Sequence, residues 1–129
     1  MGFHPYFDYG GSWVLKTESK TKILEYEGYF PTGKMIEYNF NADSFKTSFD
    51  NEFKGGGTLE LTGSSFKMTM RRRNMPFFVL YNGKYSKGYS LAVEPMTGAV
   101  DAFNNGIGLV KVEAGEEFSC GYSMEFSMI

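Results

Sequence analysis

The chain contains a single histidine, His4, within the aromatic run Phe3-His4-Pro5-Tyr6-Phe7. An imidazole exchanges a proton near neutrality, which makes it a natural acid–base group. A second candidate is Glu94. A strand-like run, Tyr89 to Val93, leads into it and Pro95 follows at once. Proline cannot donate to a sheet ladder, so the strand is expected to end there or leave the sheet. Glu94 would then stand at a strand mouth, facing a loop-lined cleft. One histidine and one strand-end carboxylate supply the general acid and general base that a proton-shuttling reaction needs. Each also has a bland reading: His4 as a space-filler beside Phe3, Tyr6 and Phe7, and Glu94 as a solvated rim residue.

The elements that must position these groups read as strands. Trp13–Ser19 is a short one. In Lys22–Phe30, Leu24, Tyr26 and Phe30 fall on one face while Glu25 and Glu27 fall on the other. Pro31-Thr32-Gly33 reads as a turn, and Met35–Phe40 alternates again. Asn41–Lys54 is polar, with Phe45, Phe49 and Phe53 at four-residue spacing, which fits either one short helix or a loop anchored by aromatic pegs. Thr58–Leu61 and Phe66–Met70 form a hairpin pattern around Thr62-Gly63. Phe77–Tyr81 has the composition of a buried strand, and Asn82-Gly83 signals a turn. Ile107–Glu113 reads as a further strand, ended by Ala114-Gly115. From Phe118 to Met128 apolar and polar residues alternate without a break, the pattern of a strand with one buried and one wet face. The aromatic, glycine-rich start, Gly2–Gly11, reads as a loop that packs rings. No segment sustains a helical period, so the expected fold is all-β, an antiparallel β-sandwich, in a single domain spanning residues 1–129.

Composition excludes several functions. The net charge of −2 offers nothing that would draw the chain to nucleic acid or to an anionic membrane. No apolar run approaches the ~20 residues of a membrane span. No signal-peptide pattern opens the chain, and a cytoplasmic location is the default expectation. The lone Cys120 rules out an internal disulfide and a cysteine-cluster metal site; with the methionines it reads as core filling. Arg71-Arg72-Arg73 reads first as shielding for a sheet edge or as a solvated run. The tyrosines of the stretch Tyr81–Tyr89 could stack on a sugar or lie as amphipathic surface residues, and the pattern does not choose.

Two segments carry a resemblance. "AVEPMTGAVDAFNNG", residues 92–106, and "MGFHPYFDYG" at the other end of the chain resemble the aldose 1-epimerase (galactose mutarotase-like) family, as does the Pro-Thr-Gly turn of "YFPTGK". The resemblance implies a galactose mutarotase-like supersandwich, of which this chain matches the C-terminal half. It implies Glu94 as the general base that takes the proton of the C1 hydroxyl and His4 as the general acid that protonates the ring oxygen of an aldohexose. The opened aldehyde rotates about C1–C2 and recloses as the other anomer, without metal or cofactor. "SFDNEFKG" matches the family's D-x-x-F setting and implies Asp50 as a sugar-hydroxyl contact; a solvated loop aspartate is the alternative. Other branches of the family act on phosphorylated or sulfonated sugars, and related site loops carry prolines and an asparagine where this chain has Ala99-Val100-Asp101. A chain matching only half the family domain is expected to pair its open edges with a second copy or with a separate N-terminal half. The alternative to an active mutarotase is a catalytically inactive carbohydrate-binding or interaction module.

Overall fold

A computed structural model describes residues 1–40, 42, 43 and 48–129. Among the described residues eleven strands form two antiparallel sheets. In chain order they are β1 (Tyr6–Asp8), β2 (Val14–Thr17), β3 (Thr21–Glu27), β4 (Phe30–Tyr38), β5 (Ala42–Asp43), β6 (Asp50–Gly55), β7 (Leu59–Thr62), β8 (Phe66–Arg73), β9 (Phe77–Tyr81), β10 (Ser90–Met96) and β11 (Gly121–Met128). The six-stranded sheet has the order β1-β10-β9-β6-β3-β4, and the five-stranded sheet the order β11-β8-β7-β2-β5.

The alternation of each strand decides what lies between the sheets. From the six-stranded sheet, Phe7, Leu91, Val93, Leu80, Phe78 and Phe53 point inward; from the other, Leu15, Leu59, Leu61, Met68 and Met70 meet them, with Trp13 at one end. Phe53 and Phe78 stack with ring centroids 5.1 Å apart. The opposite face of the six-stranded sheet carries a second, smaller cluster of Leu24, Phe77 and Ala99. That cluster exists because the loop after β10 folds back over the sheet. Gly98 and Gly108 permit the fold-back: a side chain at Gly98 would meet the Gly108 carbonyl oxygen at 2.8 Å, and one at Gly108 the Phe77 ring at 2.4 Å. A single-turn helix, α1 (Ala102–Asn105), lies inside this loop.

Several expectations shift. The β3–β4 turn falls at Gly28-Tyr29, and Pro31-Thr32-Gly33 lies within β4, where the pairing with β3 shifts register between Leu24 and Tyr26. β4 is an edge strand, where a proline leaves no ladder bond unmade. Within Asn41–Lys54 the residues from Asp50 are strand, and Phe49 and Phe53 are core pegs; Phe45 lies outside the described residues. Tyr6–Asp8 of the aromatic start is a short edge strand, while Phe7 and Tyr9 are buried as expected. Residues 107–113 form no strand. β11 does form, but its apolar face stays open: Phe126 touches Phe7 and Phe66, yet is 54% exposed, and Met128 is 80% exposed. It is the edge strand of its sheet, and the facing sheet ends at β1. Cys120 is only partly buried, with its sulfur 3.6 Å from that of Met1. Among the described residues no helix is long and apolar enough to cross a membrane.

The arginine run divides by strand parity. Arg71 pairs with Glu125 at 3.0 Å and Arg73 donates to Ser119, both at the surface. Arg72 turns the other way. Its guanidinium donates to the carbonyls of Gly55 (2.6 Å), Gly57 (2.8 Å), Met75 (3.2 Å) and Phe77 (3.3 Å). It thus ties three chain segments together, and burial without a carboxylate lowers its pKa to about 10. Replacing Arg72 by Met strands these carbonyls and is expected to cost about 3 kcal/mol of unfolding free energy, read from the urea midpoint. Arg71→Met and Arg73→Met should each stay within about 1 kcal/mol.

Candidate functional site

The outer face of the six-stranded sheet is set by register. Ala92 of β10, Tyr81 of β9 and Asp50 of β6 form one row with Tyr6 of β1. Glu94, Val79 and Glu52 form the next row. Residues two apart on a strand share a face, so both rows look away from the core. Small side chains, Ala92 and Val79, make the floor, and polar groups stand on either side of it.

His4 reaches this face through two backbone bonds. The Phe3 N–H donates to the Pro95 carbonyl at 3.1 Å, and the Val93 N–H donates to the Pro5 carbonyl at 3.2 Å. These bonds bracket His4 and Glu94, which become cross-strand neighbours with His4 Nε2 3.0 Å from Glu94 Oε1. Pro95 does not end the strand, as its position in the sequence suggested. Its polar groups point toward the Phe3 segment, so the missing N–H is not drawn from the β9–β10 ladder, and β10 continues to Met96. His4 stacks on Tyr6 with centroids 4.9 Å apart, and Tyr6 meets the Tyr81 ring edge-on at 6.5 Å.

The two groups differ in environment. The Glu94 side chain is 9% exposed and that of His4 54%. Burial raises the Glu94 pKa, His4 opposes that rise, and Asp50 adds to it. A carboxylate raised in this way is a stronger base than one in water, and the adjoining imidazole limits the rise. The structure therefore brings Asp50 into the electrostatic field of Glu94, across the Ala92 and Val79 floor.

Sequence reasoning missed Glu52. It is 1% exposed, and its Oε2 accepts the Val100 N–H at 2.6 Å. Burial lifts its pKa to about 7, against the lowering effect of the Val100 bond and with a smaller upward push from Glu94. Tyr26 of β3 completes this end of the face: burial raises its pKa, and Glu52, Asp50 and Asp101 raise it further. The available signal was parity, since Glu52 lies two residues from Asp50 on one strand, but the pattern does not say that a loop will cover that position. Among the described residues no group of three or more His, Cys, Asp or Glu side chains is arranged to hold a metal ion.

A family model described as aldose 1-epimerase matches residues 1–125. No curated protein gives a significant match.

The raised Glu52 pKa has a definite sign for stability. The folded state holds the proton more tightly than the unfolded chain, whose carboxyl titrates near 4.5. Stability from this group is full at acid pH and declines as pH rises from there through about 7, by about 3 kcal/mol in all. Glu52→Gln, which keeps an acceptor for Val100 without the charge, is expected to raise the thermal midpoint at about pH 8 and to change it little at about pH 4. Melting curves of both proteins across that range check it.

Proposed function

Because the chain belongs to the aldose 1-epimerase family, we propose that it interconverts the α and β anomers of a free hexose by acid–base ring opening. The observation that carries this reading is the contact of His4 with Glu94 at 3.0 Å, on the face whose small residues are Ala92 and Val79. The two oxygens that exchange protons in mutarotation, the C1 hydroxyl and the ring oxygen, are bonded to the same carbon. An acid and a base that are themselves neighbours can therefore serve both. Glu94, as carboxylate, takes the hydroxyl proton while His4, as imidazolium, gives a proton to the ring oxygen and the C1–ring oxygen bond breaks. Rotation about C1–C2 presents the other face of the aldehyde. On reclosure the ring hydroxyl returns its proton to His4 and Glu94 returns its own to the new C1 oxygen, so both groups end as they began.

The surroundings support the roles. Burial of Glu94 strengthens it as a base, and the exposed His4 is free to meet a sugar arriving over the floor. In this reading Asp50, on the far side of the face, accepts hydrogen bonds from sugar hydroxyls, and Tyr6 and Tyr81 lend ring surfaces to the apolar side of a pyranose; their sharing one row of the sheet supports it. A second reading, a sugar-binding module without turnover, is favoured by the 54% exposure of His4, because a wet acid is a weaker electrostatic partner for the transition state. The exposed inner face of β11, with Phe126 and Met128, favours association with a second copy in either case.

Polarimetry of freshly dissolved α-D-glucose and α-D-galactose separates the two. The parent should accelerate mutarotation, and Glu94→Gln and His4→Ala should each lower kcat by roughly a hundredfold or more while leaving the fold intact by circular dichroism. A folded parent no faster than the buffer blank would leave the module reading. Light scattering tests the association separately: a monomer at all concentrations would refute it.

A further inference from the structure

Glu52 takes no part in the proton transfers described above, yet it is the most deeply buried carboxyl on the site face. One oxygen receives the Val100 N–H at 2.6 Å; the other, Oε1, is buried with no hydrogen-bond partner. An orphaned buried oxygen is costly, and an apolar side chain of similar size would avoid that cost. The single bond to Val100 is thus what the carboxyl contributes at this position. At its start the loop is tied to the chain terminus, the Thr97 N–H donating to the Met1 carbonyl at 2.8 Å; beyond Thr97, the Ala99 N–H donates to the Ile107 carbonyl at 3.0 Å and the Asn105 amide to the Val100 carbonyl at 2.9 Å, both within the loop. Glu52 instead joins the loop to the sheet, from the same row as Glu94 and two strand spacings, roughly 10 Å, away from it.

We infer, building on the epimerase reading, that Glu52 is a positioning residue for this site: it latches Val100, and with it the loop from Thr97 to Leu109, onto the sheet as the wall of the sugar site opposite His4. The loop carries Asp101, held in the left-handed region at φ 61° and bonded to Asn104 at 2.6 Å, and this acid lies close enough to affect Tyr26. A loop so placed closes the face on the Asp50 side, where sugar hydroxyls would be read. Its release widens that end without touching His4 or Glu94, so the loss falls on sugar binding rather than on the proton transfers.

The test compares the parent with Glu52→Leu, Glu52→Gln and Val100→Pro, the last deleting the same bond from the donor side. Two quantities are read: hydrogen exchange of the Val100 amide, and kcat and KM for mutarotation of α-D-galactose. Glu52→Leu is expected to speed Val100 exchange and to raise KM by roughly tenfold, with kcat changed much less. Glu52→Gln, which retains a carbonyl acceptor, should return both toward the parent. Val100→Pro should reproduce the rise in KM, which keeps the inference testable if Glu52→Leu folds poorly. Unchanged protection of Val100 in Glu52→Leu overturns the latch, whatever the protein catalyses. Faster exchange with an unchanged KM overturns its role in the site. If a folded parent shows no turnover, the epimerase reading fails by itself. Galactose affinity, from amide shifts on titration, then replaces KM, and an affinity equal in parent and Glu52→Leu, or absent in both, overturns the inference.

Discussion

Two backbone hydrogen bonds, from Phe3 to Pro95 and from Val93 to Pro5, hold the site together. They lay the residues ahead of β1 alongside β10 and leave no choice about which side chain stands beside Glu94. The His4–Glu94 contact is therefore a consequence of sheet register and not of side-chain attraction alone. Pairing of this kind is rigid because a slip by one residue would send His4 to the opposite face and bring Phe3 and Pro5 to the site. The proline after Glu94 fits the arrangement, since the side of β10 it cannot donate to is the side on which it accepts.

The price of such a face is electrostatic. Glu94, Asp50 and Glu52 share one surface; Asp50 makes ionisation of Glu94 harder, and Glu94 makes that of Glu52 harder. His4 relieves Glu94 alone, and Glu52 has only a backbone N–H. The sheet tolerates this because its other face supplies a well-packed core, in which Phe53 and Phe78 stack and Leu15, Leu61 and Met68 form a continuous row across the facing sheet. Buried apolar surface is the dominant favourable term in folding, so a polar outer face is affordable where the inner one is complete. Arg72 adds a local tie on the same logic as Glu52: a buried polar side chain kept for the backbone groups it satisfies.

Much was legible from residue order because strand alternation is a local property. The hairpin of β7 and β8, the buried strand Phe77–Tyr81 and the all-β class follow from a period of two, which any extended chain with one buried face must show. His4 and Glu94 could be singled out by rarity and by the flanking proline. Local pattern misled where partners decide the outcome. Pro31-Thr32-Gly33 has turn chemistry but lies in an edge strand. The run Phe118–Met128 has the alternation of a half-buried strand, but the facing sheet ends before it can cover the apolar side. Ile107–Glu113 has strand composition but forms no strand.

What the sequence by itself determined is the class of fold, the family and two candidate proton-transfer groups, His4 and Glu94, because these rest on residue types and short-range periodicity. Only the tertiary structure decided that His4 and Glu94 meet at 3.0 Å, that Asp50 shares their face, and that Glu52 is buried under the Val100 loop. Those facts depend on which strands are neighbours and in what register, and on a loop crossing a sheet. Contacts between residues some ninety positions apart are set by the packing of the whole chain, which no local pattern encodes.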